Sequence, residues 1–263
     1  PLRLLAFLAA AAPALGWAHG DASREVRVAV RSGPVVIDGR IDEEAWAAAP
    51  WATDFVERKP RLRATPADAT AFRVLYDSDA LYVAVDCRDE RPERILARTR
   101  ARDVFAIFSD DAVSVKIDAA HDHRTTRGFV VNAGGARLDY LAPNGGRFQR
   151  EWDAVWDGAA ALTEDGWTAE LRLPWSALRI DPSDPPERVG LNLTRDHPRR
   201  NASYDWSLMP PPHSPASAYL FGHLEGLRPE ESSAKLAVTP YALGVAEEGA
   251  GRPVRRRERR RRR

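Results

Sequence analysis

The sequence predicts an all-β fold, a jelly-roll-like sandwich of two antiparallel sheets with short helical turns. Short runs of alternating side chains dominate the chain, and turn-forming residues recur between them. No strand–helix–strand alternation of the kind that builds parallel sheets is present. The clearest signal is at residues 72–86, where two alternating runs flank the polar turn 77–80. Because both faces of this predicted hairpin are apolar, we expect it inside the sandwich.

The remaining elements follow in chain order. Residues 25–30 and 35–37 are predicted strands, and Asp42 is predicted to cap a short helix over 43–49 that Pro50 ends. Trp46 and Trp51 are expected to anchor the core. The strand 111–118 is expected to pair in the sheet of the hairpin, and 174–178 to form a helical turn. Further strands are predicted at 128–132, 136–141, 152–156, 159–162, 167–173, 189–194, 219–224 and 236–243.

Charge and length limit the partners. The 263 residues, 44% of them hydrophobic, suffice for one large β domain or two small ones. The formal net charge is +1, but nine arginines lie within residues 252–263, so the rest of the chain is acidic. An acidic body argues against a nucleic-acid partner. Residues 251–263 are predicted to be a disordered Arg-rich tail, although such a run can also hold RNA, DNA or anionic lipid.

The first 18 residues have the pattern of a secretory signal peptide, with one cation, a short apolar stretch and small residues before a cleavage point after Ala18. We therefore expect export, with the protein secreted, periplasmic or associated with the outer membrane. Cys87 is the single cysteine, so it forms no internal disulfide and no zinc cage of thiolates. It is expected to be a small buried apolar residue.

Several short motifs, in this order and spacing, resemble the family 9 carbohydrate-binding modules. The likeness covers about residues 30–227, and it is strongest to exported bacterial proteins in which such a module precedes an outer-membrane β-barrel. It rests on residues 37–46, 75–77, 80–83, 110–113, 117–118, 165–170 and 173–175, on Arg195 and Trp206, and on residues 221–224. The implied domains are a sandwich over 25–230 and the start of a truncated barrel region over 231–250.

The resemblance implies a β-sandwich that holds a glycan end between two aromatic rings and carries structural calcium. Trp206 matches one ring, and the other position is about Phe108, with Phe105 nearby. Sugars present C–H faces and hydroxyl groups, so a site needs a flat aromatic surface with fixed polar groups. Candidate polar groups are Arg102, Asp111, Asn132 and Arg195.

Oxygen-rich turns are the candidates for calcium, namely Asp118 with Asp122 or Asp38 with Asp42. His121 and His123 could place two imidazoles on one side of an extended segment, although a surface turn is favoured there. No nucleophile elbow, zinc-protease helix or phosphate loop is present. The resemblance supplies no catalytic residue either, since these modules accompany hydrolases rather than cleave.

The first hypothesis is therefore an exported, non-catalytic module that binds a polysaccharide or its reducing end and serves carbohydrate catabolism. The second is a periplasmic or surface interaction domain of an outer-membrane protein whose sugar site is lost. Phe108 and Ser114, which stand where the family has a tryptophan and an acid, favour this second hypothesis. The third is hydrolase activity of the chain itself, and a further alternative is an accessory domain of a glycoside hydrolase.

Overall fold

A computed structural model describes residues 24–181, 184–186 and 188–228. Their strands make two sheets with an apolar core between them. The bounds, in chain order, are β1 Glu25–Arg27, β2 Ala29–Val30, β3 Val56–Lys59, β4 Thr70–Tyr76, β5 Ala80–Arg88, β6 Ala112–Asp118, β7 Thr125–Asn132, β8 Arg137–Pro143, β9 Asp157–Thr163, β10 Gly166–Pro174, β11 Val189–His197, β12 Ala202–Asp205 and β13 Gly222–Glu225.

The eight-stranded sheet has the order β1-β13-β11-β6-β7-β8, with β12 paired to β11 and β3 paired to β12. The five-stranded sheet has the order β2-β4-β5-β10-β9. All pairs are antiparallel except β1 with β13 and β2 with β4. The predicted β-sandwich is confirmed.

The helical elements are short. One α-helix, α1, spans Trp175–Leu178 at the predicted turn. Single 3₁₀ turns span Glu44–Ala48, Pro92–Arg94, Phe105–Ser109, Pro198–Arg200 and Ala218–Leu220. Among the described residues, none of these helices has the length and apolarity that a membrane span requires.

The predicted hairpin is confirmed as β4 and β5. Its turn is held by Asp77, whose Oδ1 accepts the backbone N–H groups of Asp79 at 2.8 Å and Ala80 at 2.9 Å. The expectation for residues 111–118 is wrong, because β6 pairs with β7 and β11 in the eight-stranded sheet and not with the hairpin. The segment between β5 and β6 carries the chain from one layer to the other, which alternation within a strand cannot reveal.

Other boundaries also shift. The predicted strand 25–30 divides at Val28 into β1 and β2, which belong to different sheets. Residues 35–37 and 152–156 form no strand, and the helix predicted over 43–49 is the 3₁₀ turn Glu44–Ala48. Residues 219–224 begin within a 3₁₀ turn and become β13 only at Gly222. The signal peptide, the predicted strand 236–243 and the Arg-rich tail lie outside the described residues.

Trp46, Trp51 and Cys87 were the predicted core residues. Trp46 is buried, with 1% of its surface exposed. It packs beside Leu75 and Tyr82 on the side of the five-stranded sheet that points away from the main core. Cys87 is fully buried, and burial raises the pKa of its thiol to about 12. The prediction for Trp51 is wrong, since 40% of its surface is exposed and the Arg73 guanidinium lies 3.6 Å above its ring.

Candidate functional site

A group of phenylalanines lies on the face of the eight-stranded sheet that points away from the five-stranded sheet. We call this face the outer face. The 3₁₀ turn Phe105–Ser109 packs over β7 and β8, where Val130, Leu138 and Tyr140 form a small apolar cluster separate from the main core. Phe108 and Phe148 are the partly buried members at its edge. We call Phe105, Phe108 and Phe148 the phenylalanine surface.

The rings form a continuous series. The centroids of Phe105 and Phe108 are 5.0 Å apart, and those of Phe108 and Phe148 are 6.2 Å apart. Phe148 stacks on Tyr140 at 4.0 Å with an interplanar angle of 10°. Because Tyr140 is buried, this stack fixes Phe148 to the sheet, while Phe105 keeps 51% of its surface exposed.

Two shallow concavities adjoin the phenylalanine surface. One, of about 310 Å³, is lined by Phe105, Phe148, Arg147 and Arg150. The other, of about 390 Å³, shares the latter three residues and adds Pro143, Gln149 and Glu151. The Arg150 guanidinium lies 5.6 Å from the centroid of the Phe105 ring. An apolar face with guanidinium, amide and carboxylate groups around it can receive a small ligand that has both C–H and hydroxyl surfaces.

Trp206 does not contribute to this surface. Only 3% of its surface is exposed, and its ring packs edge-on against Phe72 in the main core at 5.2 Å. The backbone of Gly222 lies so close that a Cβ there would be 2.6 Å from the indole. The buried Trp206 ring therefore cannot hold a glycan, which is the role that the resemblance implies for it. Since Phe108 packs on the outer face, the two predicted rings do not flank a common ligand.

Arg102 and Asn132, two of the predicted polar groups, fasten loops. Arg102 Nη2 donates to Asp139 at 3.1 Å, Asp153 at 2.7 Å and the Ala154 carbonyl at 2.9 Å. Asn132 is fully buried and donates to Asp110 at 2.9 Å while it accepts the N–H of Ala136 at 2.8 Å. These bonds hold the chain on either side of the 3₁₀ turn Phe105–Ser109, which carries Phe105 and Phe108, against β7 and β8.

Asp111 and Arg195, the other two predicted polar groups, are brought together, but inside the molecule. Both are fully buried at one end of the sandwich, beside the imidazole of His197. Asp111 Oδ1 lies 3.5 Å from His197 Nδ1, and His197 Nε2 lies 3.1 Å from Asp68 Oδ2 and 3.3 Å from Asp89 Oδ2. We call these five residues the charged cluster. The sequence reasoning missed Asp68, Asp89 and His197.

The protonation of the charged cluster is shifted by its surroundings. Burial, together with the nearby Arg195 charge, lowers the pKa of His197 to about 4. Burial raises the pKa of Asp111 to about 6, against the hydrogen bond from the Leu96 N–H. Arg199 and Arg200 pair with Asp89 and Asp68 from the outside. One available signal was the period of two in β11, which places His197 on the same inward face as Leu193 and Arg195.

The carboxylates predicted for calcium cap a turn. Asp118 accepts the N–H groups of Asp122 at 3.1 Å and His123 at 2.8 Å, and Asp122 Oδ1 accepts those of Arg124 and Thr125, both at 2.8 Å. Burial raises the pKa of Asp118 to about 6. None of these oxygens is buried without a hydrogen bond, so this pair fits a capped turn better than a calcium cage. Calcium itself stays a prediction.

The same turn brings the two predicted histidines together. The rings of His121 and His123 are 4.4 Å apart, and His223 of β13 lies 5.0 Å from His121. Three imidazoles therefore meet near one end of β6. In the described chain, however, only Asp68, Asp89 and His197 place three possible ligand atoms within 4.8 Å of one another.

Glu170 is a further buried carboxylate, and it bears on the hydrolase hypothesis. Burial raises its pKa to about 7, which is the range of a general acid. Its oxygens, however, accept the Trp46 indole N–H at 2.9 Å and the Gly39 backbone N–H at 3.0 Å. Glu170 is fully buried beneath these groups, so its geometry is that of an anchor for the segment around Trp46.

Fold and surface together describe a β-sandwich domain with an exposed aromatic face. The carbohydrate family 9 binding domain-like family matches residues 37–224, and the chain belongs to this family. No curated protein sequence matches the chain.

Three solved structures share the fold. A family 9 carbohydrate-binding module from Caldicellulosiruptor kristjanssonii in complex with cellotriose is 18% identical, with a TM-score of 0.53 over 82% of this chain and 100% of that chain. Its complex with glucose gives 19% identity and a TM-score of 0.51 over 80% of this chain and 98% of that chain. A candidate carbohydrate-binding protein from Bacteroides uniformis is 12% identical, with a TM-score of 0.62 over 77% of this chain and 99% of that chain.

Proposed function

We propose that the protein is an exported, non-catalytic carbohydrate-binding module that holds an oligosaccharide or polysaccharide end against the phenylalanine surface. The observation that carries this proposal is the half-exposed ring of Phe105, which extends a series of neighbouring aromatic rings beside two polar-rimmed concavities. Pyranose rings bind to such faces through their C–H groups, and nearby fixed polar groups orient the hydroxyls.

Two further observations support the proposal. The chain belongs to a family of carbohydrate-binding domain-like proteins, and two solved structures with its fold hold cellotriose and glucose. Cellotriose is a short β-1,4-linked glucose oligomer, and glucose is its monomer. Short β-1,4-linked oligomers of glucose and xylose are therefore the first ligands to test. We further propose that this binding serves carbohydrate catabolism beside hydrolases.

The binding test is a calorimetric titration of the purified chain with cellotriose and xylotriose. We expect the wild type to bind at least one of them, and Phe105→Ala to bind at least about tenfold more weakly, a loss of about 1.4 kcal/mol. Trp51→Ala is the matched control, because it removes an exposed aromatic ring that stacks on Arg73 of the five-stranded sheet, away from the phenylalanine surface. Equal affinities of wild type and Phe105→Ala would place the sugar elsewhere.

A second candidate is the interaction domain whose sugar site is lost. The burial of Trp206 favours it, because the two-ring clamp that the resemblance implies is not assembled. The test is the wild-type titration carried to about 10 mM sugar, a concentration at which even a Kd of about 1 mM gives a nearly saturated site. No heat of binding and no NMR shift at that concentration would select this candidate.

Export rests on the composition of residues 1–18. Expression of the full chain in a Gram-negative host is expected to yield periplasmic protein whose first residue is His19. Uncleaved protein that stays in the cytoplasm would contradict the proposal for export and would leave the carbohydrate titration unaffected.

A further inference from the structure

We propose that Asp68, Asp89 and His197 bind one divalent transition-metal ion, for which zinc is the appropriate probe. Their three ligand atoms lie within 4.8 Å of one another, and all three side chains are 0–1% exposed. His197 Nε2 is 3.1 Å from Asp68 Oδ2 and 3.3 Å from Asp89 Oδ2. Ligands at about 2.0–2.2 Å from a common ion are separated by roughly 3–3.5 Å, so this spacing already suits one ion.

Unpaired polar atoms supply independent support. Asp89 Oδ2, His197 Nδ1 and Asp111 Oδ1 are buried, and none of them makes a hydrogen bond among the residues that the structure describes. Buried polar atoms without a hydrogen bond are unfavourable in a protein interior. A bound ion would serve these two carboxylates and the imidazole together.

One ion bound to His197 Nε2 accounts for all three of these atoms, because it binds Asp89 Oδ2 directly and fixes a proton on His197 Nδ1 for Asp111 Oδ1 to accept. When Nε2 of a histidine binds a metal, its proton resides on Nδ1, and this N–H usually faces a carboxylate. In the cluster, His197 Nδ1 faces Asp111 Oδ1 at 3.5 Å. Asp89 Oδ2 becomes a metal ligand, and Asp111 accepts the Nδ1 proton and orients the ring.

The neighbouring arginines are compatible with this role. Arg199 pairs with Asp89 Oδ1, which is the oxygen turned away from the imidazole. Arg200 Nε pairs with Asp68 Oδ2, the proposed ligand oxygen, and its Nη2 reaches Glu90 at 2.7 Å, so the guanidinium keeps Glu90 as an acceptor when Asp68 binds the ion. Arg199 orients the Asp89 carboxylate through the oxygen that does not bind the ion.

The donor set selects the kind of metal. Calcium prefers six to eight oxygen ligands, whereas a set with an imidazole suits zinc and its neighbours. The calcium that the family resemblance implies therefore does not fit this cluster. Asp89 follows β5 of the five-stranded sheet, and His197 ends β11 of the eight-stranded sheet. An ion here joins the two layers, which gives it a structural role beyond carbohydrate binding.

The experiment uses the full chain, unfolded in urea with a chelator and refolded with zinc, calcium or no metal. Elemental analysis after gel filtration is expected to show about one zinc per chain and no calcium. Zinc at 100 times its Kd is expected to raise the Tm by about 5 °C or more. Asp89→Asn and His197→Asn should lose both the zinc and the shift, and a cobalt-loaded wild type should show visible absorption that Asp89→Asn lacks.

His123→Asn is the matched control, because it removes an imidazole from the other histidine group and should keep the zinc. Wild-type protein that refolds without bound zinc overturns the proposal and leaves a protonated imidazole as the partner of the carboxylates. Zinc that is retained in Asp89→Asn but lost in His123→Asn also overturns it. If His197→Asn fails to fold, the wild-type metal content and the cobalt spectrum of Asp89→Asn decide.

Discussion

The two faces of the eight-stranded sheet use their aromatic and charged residues in opposite ways. The inner face buries the Trp206 indole against Phe72 and ends in the charged cluster around His197. The outer face supports the phenylalanine surface, where Phe105 remains half exposed. Residues with the chemistry of a sugar site occur on both faces, but of the groups named here only the phenylalanine surface on the outer face is exposed to a sugar in solution.

The difference teaches that residue type alone does not mark a binding surface. Arg195 has the polar group that a sugar site needs, yet strand alternation in β11 turns it toward the core, and Asp111, directly before β6, is also fully buried. Phe105 is an ordinary apolar residue, yet it stands in a 3₁₀ turn laid over the sheet, so its ring meets solvent. Position relative to the core decides which of these groups is available.

Among the substitutions that test this comparison, Trp206→Ala has the largest expected effect on stability. Removal of a buried indole leaves a cavity that its neighbours cannot fill, so we expect a loss of about 3–5 kcal/mol in the free energy of unfolding. Trp51→Ala is the control, and it should cost only about 1 kcal/mol because its ring is exposed and stacks on one guanidinium. Urea unfolding measures both. Equal and small losses would mean that Trp206 is not a core residue.

The fold was accessible from the sequence because the signals were local. The hairpin β4–β5 was predictable because the alternation of Val74 and Tyr76 and the turn at Asp77 determine it within 20 residues. The sheet to which β6 belongs was not predictable, because alternation shows which residues share a face and not which strand is the neighbour.

The site was predictable only in part, and for a similar reason. Phe108 was found through family spacing, but Phe148, which stacks on Tyr140, comes from a loop 40 residues later and carries no motif. The charged cluster collects Asp68, Asp89 and His197 from three separate segments. Such proximity arises from tertiary packing, which short-range patterns do not encode.

A smaller effect tests the middle of the outer face, where Lys116 is buried and donates to Thr194 Oγ1 at 2.5 Å. Burial lowers its pKa to about 8, although the nearby Asp205 opposes the shift. Because the unfolded chain holds this proton to higher pH, wild-type stability should rise relative to Lys116→Met as the pH increases. The expected change is about 1 kcal/mol between pH 7 and pH 9.

Chemical denaturation of both proteins across that range measures the difference, since the other titrating groups are common to both. A constant difference between the two curves would mean that Lys116 keeps its ordinary pKa and is in contact with water. The outer face would then be open at its centre, and the ligand surface would extend beyond the phenylalanines.

The smallest effect on stability is expected at Phe105, and it sharpens the comparison most. Phe105→Ala should cost about 0.5–1 kcal/mol, the contribution of one exposed aromatic pair. Phe148→Ala should cost about 2 kcal/mol, because it also removes the stack on buried Tyr140. If removal of the Phe105 ring weakens sugar binding about tenfold but hardly changes the free energy of unfolding, the ring contributes to ligand binding and not to the stability of the fold. If Phe105→Ala unfolds as easily as Phe148→Ala, Phe105 belongs to the outer apolar cluster, and the exposed aromatic face that carries the proposed function is lost.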